Sequence, residues 1–445
     1  MEGTQSDSQL GPPRTRRRGA RVRAHLLALC LGGAAAQAQI PPGTLINQTN
    51  WQHVTDLLPA SVLEWVKKGD LTFVVGSMSD EVAWEPAFIQ ASEANADHYD
   101  VDADGNLVDR QTGQRPPHTY GFPFPHVDAS DAQAGVKIMW NTSPVTYKFG
   151  RLYTPFALNW VGRTGFERVV RGQVQSIAFD FQPQPLPNPE GTETRDLFEA
   201  LGPASAEGIA ILTWRYMDNR PDNVWGYTPA LRRVRQLTAA NRSDPSFGSD
   251  LAEDDGLLWL GKHQSFTWKL GGTQDILVCT ASTRHVRLVP GKQGPNGQEW
   301  KSPATFPGAR FGMETPGWSG APWLPTNMVW VPRPVWIVEG YPKDPYYNYG
   351  RQVFYIDRST FKIYYKVVYS PAGDYWKTIF NDLGLGVTAD GAERQVITSM
   401  IVAVDDRADH ATYTKGSAPD VITEYNSARV SPDLFTVSGL LRHGK

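Results

Sequence analysis

The chain has 445 residues, 43 Lys plus Arg against 46 Asp plus Glu, a formal net charge of −3, and 41 Gly, 34 Pro and 15 Trp. An acidic balance argues against nucleic acid as a partner, and beyond the first forty residues no stretch approaches the ~18 apolar residues that cross a bilayer as a helix. Two cysteines, Cys30 and Cys279, leave no framework of disulfides to replace a hydrophobic core.

Arg14, Arg16, Arg17, Arg18, Arg21 and Arg23 precede the apolar run Leu26 to Leu31, and Ala36-Gln37-Ala38 supplies a small-x-small site. This predicts a secretory signal peptide over residues 1–38, cut after Ala38, in preference to a twin-arginine signal or a lipoprotein box at Cys30. Cleavage would remove six Arg, Glu2 and Asp7 and leave a net charge of about −7 on a soluble exported protein, residues 39–445. Cys279, in the run Ile276-Leu277-Val278, then reads as a small buried hydrophobe.

Gly, Pro and aromatic residues in this abundance predict a mainly β fold with few helices. Thr49 or Asn50 caps a short segment through Leu58, Ser61 opens VLEWVKK with Gly69 as its stop, and Thr194 opens RDLFEAL ending at Gly202. Asp100, Asp102 and Asp104 with Gly105 match the first half of a calcium loop, but Gln111 fills the position of the bidentate carboxylate. The competing reading is a hairpin joining Tyr99-Val101 to Leu107-Val108 through the Asp-Gly turn. Val136 to Trp140, Phe149 to Val161 and Val169 to Phe181 read as strands, and the proline-rich Gln182 to Thr194 as an extended connection.

Trp214 to Asp255 draws most attention. A strand ends at Met217, a turn runs through Asn219 to Asn223, and a second strand starts at Val224. Trp214, Tyr216, Trp225, Tyr227 and Leu231, with Trp336 further on, are candidates to line a groove. Arg232, Arg233 and Arg235 are candidates to pair with Asp250, Asp254 or Asp255 and lock a loop over it; surface pairs contributing little are the plainer alternative. A meander follows: Val335 to Val338, Gln352 to Ile356, Lys362 to Tyr369 and Tyr375 to Phe380, with a later strand at Met400 to Val404.

The order W-x-Y-x-P-A-L-R-R-V-R, then R-S-D, G-S-D and D-D, resembles the LolA-like superfamily of outer-membrane lipoprotein-sorting proteins. IPPGTLINQTNW (Ile40 to Trp51) and GFPFPHVD (Gly121 to Asp128) are similar to the family called domain of unknown function 1329. The resemblance implies one large curved antiparallel sheet, a half-open barrel with a few short covering helices and long loop insertions. It also implies a periplasmic carrier of a lipid, lipoprotein acyl chains or another hydrophobic molecule. Its partner would be an RND-type exporter or an outer-membrane component. A C16 chain in such a groove would gain roughly 10 kcal/mol before ordering costs.

No G-x-S-x-G elbow, H-E-x-x-H, Cys/His cluster or phosphate-binding glycine pattern occurs, so neither catalytic residues nor a metal or cofactor is expected. The alternatives to carriage are a non-enzymatic envelope adaptor and a hydrolase acting on a glycan or ester through a carboxylate pair such as Asp254 and Asp255.

Overall fold

The computed structural model describes residues 40–78, 82–238, 242–294, 297–303, 308–417 and 421–443. The expected signal peptide lies outside them.

Short turns between aromatic and β-branched runs force neighbours in sequence to pair antiparallel. Six strands pair in chain order: β1 (Arg151–Gly162), β2 (Gly165–Ala178), β3 (Thr192–Gly202), β4 (Ala210–Tyr216), β5 (Asn223–Thr228) and β6 (Arg233–Leu237). A second meander runs through β7 (Phe266–Arg287), β8 (Val329–Pro342), β9 (Gln352–Asp357), β10 (Ile363–Tyr369), β11 (Tyr375–Asn381), β12 (Met400–Asp405) and β13 (His410–Gly416). The two are joined where β13 pairs antiparallel with β1, from His410 opposite Gly162 to Gly416 opposite Phe156. The result is a large curved antiparallel sheet that does not close.

Two short parallel pairings interrupt the rule. Residues 73–75 lie along the start of β8, and residues 383–387 along the second half of β7. Residues 421–425 extend the sheet beside the start of β1. Residues 289–294 and 297–303 pair as a hairpin.

Helices α1 (Ala60–Lys68), α2 (Pro86–Ala94) and α3 (Ala134–Tyr147) pack on the main core, and α4 (Val437–His443) lies near the C-terminus. Helix α1 ends at the expected stop, Gly69 with φ 79°, but starts at Ala60 after Pro59, so Ser61 lies inside it rather than capping it. Helix α3 replaces the strand expected over Val136 to Trp140. It is buried on nearly every side, so it has no polar stripe to reveal its period. At Gly135 a Cβ would lie 2.9 Å from the Lys269 carbonyl carbon, and only glycine lets the helix approach β7 so closely.

The helix expected over Thr194 to Gly202 is instead strand β3. Its Thr, Glu, Leu and Ala favour a cap and a helix locally, but hydrogen bonding to β2 on one side and β4 on the other overrides that preference.

One large core contains Trp140, Trp330, Phe354, Tyr364 and Tyr365. A smaller one on β2 to β6 contains Ile177, Leu197, Leu212 and Tyr227, and is covered by Val430, Phe435 and Leu440 of the C-terminal segment.

Candidate functional site

The six groove candidates do not share one surface. Trp214 and Trp225 meet edge to face at 5.4 Å, and Tyr227 is buried with them in the smaller core. The Trp214 indole donates to the Phe435 carbonyl at 2.8 Å, and the Arg195 guanidinium lies 3.9 Å over its ring. This aromatic face is thus occupied by the chain's own C-terminal segment. Tyr216 accepts a hydrogen bond from Asn223 and stacks under Arg220, Leu231 stands exposed in the β5–β6 turn, and Trp336 is buried in the main core beneath Arg358.

A loop is locked down, but by other cations than expected. Arg232, Arg233 and Arg235 are exposed on and beside the edge strand β6. Asp254 pairs instead with Arg242 at 2.5 Å and accepts from the Tyr347 hydroxyl at 2.9 Å. Asp255 pairs with Lys366 at 2.6 Å and accepts from the Tyr349 hydroxyl at 2.6 Å. Asp250 meets His410 Nδ1 at 2.7 Å and the Thr412 hydroxyl at 2.8 Å. The reason is strand geometry: β6 is an edge strand whose arginines reach water, whereas Lys366 sits mid-sheet on β10, fully buried under the loop.

Burial acts to raise the Asp255 carboxyl, but Lys366 and Lys377 outweigh it and hold it below the usual carboxylate range. Burial pushes the Tyr347 and Tyr349 hydroxyls well up, so both stay protonated donors.

The carboxylates fasten residues 253–259, in which Leu257 and Leu258 adopt left-handed backbone, φ 48° and 71°. Such strain in bulky residues persists only where the surroundings over-determine it. Leu258 is fully buried; Leu257 is exposed on one side and on the other helps line a cavity of about 110 Å³.

That partly open cavity lies between sheet and cover. Leu152 and Thr154 of β1, Ile363 of β10, Asn381 at the end of β11, and Thr423 and Tyr425 contribute the sheet wall. Thr142, Val145 and Thr146 of α3, with Leu257 and Trp259, contribute the cover. Phe361, Lys362, Gln395, Val396 and Thr398 complete it, and Phe361, like Leu257, is left-handed with φ 56°.

None of the predicted groove residues lines this cavity. Its polar members went unnoticed in the sequence. The available signal was Lys362 and Lys366, one lysine just before and one within a strand otherwise of Ile, Tyr and Val. Burial pushes the Lys362 amine down to about 8, opposed by the nearby Asp382 and Asp357 carboxylates.

Next to the cavity, Ser143 Oγ lies 2.9 Å from His263 Nε2, a spacing that resembles a nucleophile and its base. The Trp259 indole donates to His263 Nδ1 at 3.1 Å, which requires the ring proton on Nε2. Nε2 therefore donates to Ser143 and has no lone pair to take the hydroxyl's proton. Burial, with Arg215 and Arg115 nearby, pushes His263 down to about 3 and keeps the ring neutral.

Of the two readings of the stretch from Tyr99 to Asp109, the hairpin, residues 99–101 against 107–109, is the one that the structure shows. Asp100 pairs with Lys137 at 3.1 Å, Asp102 accepts from the Asp104 and Asn106 amides, and Asp104 is exposed, so the three carboxylates do not converge. No group of His, Cys, Asp and Glu with metal-binding geometry occurs among the described residues. Cys279 is buried, and burial pushes its thiol well up.

The family described as protein of unknown function (DUF1329) matches residues 45–440. The chain belongs to the DUF1329 family. Three similar solved structures accompany that match. A putative outer membrane lipoprotein-sorting protein domain from Vibrio parahaemolyticus is 15% identical over 70% of this chain and 100% of its own, with TM-score 0.46. A DUF1329 family protein from Desulfovibrio piger is 16% identical over 69% and 98%, also at 0.46. A LolA superfamily protein from Nitrosomonas europaea is 13% identical over 70% and 99%, at 0.42. No curated protein matches. No helix among the described residues of this DUF1329 protein is long and apolar enough to cross a membrane.

Proposed function

We propose that this DUF1329 protein is a carrier that holds a hydrophobic or amphipathic small molecule between its curved sheet and the cover of α3 and residues 253–259. The observation that carries the reading is the cavity itself, closed on one side by a strained loop that buried ion pairs hold in place. Leu, Val, Ile and aromatic side chains make about half of its lining and Thr, Lys, Asn and Gln the rest, a mixture that suits an amphipathic molecule.

Size refines the expectation. An apolar cavity of ~150 Å³ accepts benzene, so about 110 Å³ takes a short chain or the end of a long one, not a whole C16 tail. Lipids and lipoproteins enter this reading only by such an end, or with the cover open. The arginine-rich start followed by Leu26 to Leu31 supports working in the periplasm, and an RND-type exporter or outer-membrane acceptor is the handover partner the reading calls for.

Native mass spectrometry and solvent extraction of the purified chain test it. A hydrophobic molecule carried through purification is the expected result. A bare chain from its native envelope, with no hydrophobic probe raising Tm, would sink it. The second reading, an envelope adaptor, would then be left, favoured by the basic edge strand β6 with Leu231 and Leu237 exposed beside it.

A further inference from the structure

A pocket meant only for alkyl chains would be lined by aliphatic groups, yet Lys362, Asn381 and Gln395 line this one. The Gln395 amide donates to the Val145 carbonyl at 2.9 Å and the Val396 carbonyl at 3.1 Å. Its orientation is thereby fixed, because flipping it would set Oε1 against two carbonyl oxygens. Oε1 is left buried with no hydrogen-bond partner, and so is Oδ1 of Asn381.

Lys362 Nζ donates to the Thr398 hydroxyl and, at 3.3 Å, to the Ile397 carbonyl. An ammonium has three N–H groups, so one remains. Lys362 forms no contact ion pair among the described residues, whereas Lys366, four residues on, has Asp255. A buried ammonium with an N–H to spare, its nearest carboxylates Asp382 and Asp357 near but not in contact, and buried acceptors without donors are each unfavourable, and native proteins rarely leave them so. Lining one cavity, they are the complement of a polar head: an anionic oxygen for Nζ and hydroxyl hydrogens for the amide oxygens. The amine's depressed value of about 8 still leaves it mostly charged at neutral pH.

Resting on the carrier reading above, we propose that the cavity takes a small hydroxylated organic acid head-first. The carboxylate sits on Lys362, the hydroxyl donates to Asn381 or Gln395, and the alkyl part lies against Leu152, Leu257 and Val396. Since about 110 Å³ is less than the ~150 Å³ that takes benzene, the cavity encloses the head and the first few carbons, and the rest of a six-carbon skeleton runs out through the opening. The ligand's charge is thus inside the protein, and its tail is what a longer molecule would extend towards the opening.

Titration calorimetry of the full chain at pH 7 with 3-hydroxyhexanoate, hexanoate, hexanol and hexylamine tests the assignment. 3-Hydroxyhexanoate is expected to bind tightest, hexanoate about tenfold more weakly, and hexanol and hexylamine about a hundredfold more weakly. Lys362→Met keeps the side chain's length and is expected to weaken both acids about thirtyfold while leaving hexanol unchanged. Gln395→Leu is expected to remove much of the hydroxy acid's advantage over hexanoate. Hexanol binding as tightly as hexanoate, or acids binding undiminished to folded Lys362→Met, overturns the proposal. Should Lys362→Met fail to fold, Val396→Trp fills the cavity instead: acid binding lost supports the site, and acid binding retained overturns it. A hydrophobic molecule found by mass spectrometry, with no response to either acid, overturns the head-first assignment and leaves the carrier reading standing; absence of both overturns both.

Discussion

Lys366 Nζ lies 2.6 Å from Asp255 Oδ1 with both side chains fully buried, and this pair fastens residues 253–259 to the middle of the sheet. Removing one partner of a buried pair strands the other charge away from water. Lys366→Met should therefore cost about 3–5 kcal/mol in urea unfolding. Adding Asp255→Leu should recover part of it, although that change also strands the Tyr349 hydroxyl and the Ala252 amide that Asp255 accepts from. An effect under about 1 kcal/mol in the single variant would show that the pair does not hold the loop.

Gly121 opens the GFPFPHVD stretch at φ 86°, and a Cβ there would lie 2.7 Å from the Ser92 amide nitrogen and 2.9 Å from the Ala91 carbonyl carbon. Backbone cannot step aside as a flexible side chain can. Gly121→Ala should lose about 2–3 kcal/mol by chemical denaturation, whereas Gly43→Ala, with φ 91° but open space around it, should lose only the conformational part, about 1 kcal/mol.

Phe435 is fully buried against the smaller core, and its carbonyl accepts from Trp214. Phe435→Ala should cost about 3–4 kcal/mol. It should also change the tryptophan emission, because Trp214 and Trp225 lose their cover. A variant of unchanged stability and emission would mean that the C-terminal segment does not seal that face.

His263 is held neutral far below the value near 6.5 that it has in an unfolded chain. As pH falls, the unfolded chain binds a proton that the folded one refuses. Stability should therefore be full above about pH 6.5 and decline steadily towards pH 3, by an amount of order 5 kcal/mol from this residue. His263→Gln should flatten that part of the profile measured by urea midpoints.

Lys362 gives the opposite slope. Below pH 8 both states are charged and the folded one bears the cost of burial; between about 8 and 10.5 the folded chain releases its proton first. The unfolded state then binds more protons, so stability rises with pH across that window, by roughly 3 kcal/mol, and Lys362→Met should remove the rise.

Local rules explain what the sequence revealed. The meander from Val335 to Phe380 was legible because each turn is too short for anything but an antiparallel neighbour. Gly69 as a helix stop and the Asp-Gly hairpin after Tyr99 are local too. Helix α3 was not, because a segment buried all round has no amphipathic period, and β3 was not, because its partners on both sides decide against its own propensity.

The candidate site divides the same way. Asp254 and Asp255 were candidates for a lock because they close the same stretch that carries Arg232, Arg233 and Arg235. Their cations were not, since Arg242 and Lys366 are chosen by strand order rather than by nearness in sequence. The cavity wall draws on residues from Thr142 to Tyr425, and no pattern in one segment can announce it.

The seam between β1 and β13 joins residues near 160 to residues near 410. While the chain emerges from the ribosome or a translocon, the first meander must wait with one long row of unpaired amides and carbonyls until almost the last strand has arrived. Contacts so distant along the chain make for slow folding and a prolonged exposure to wrong partners. This protein should therefore refold slowly, and depend on being kept from its own copies until synthesis is complete.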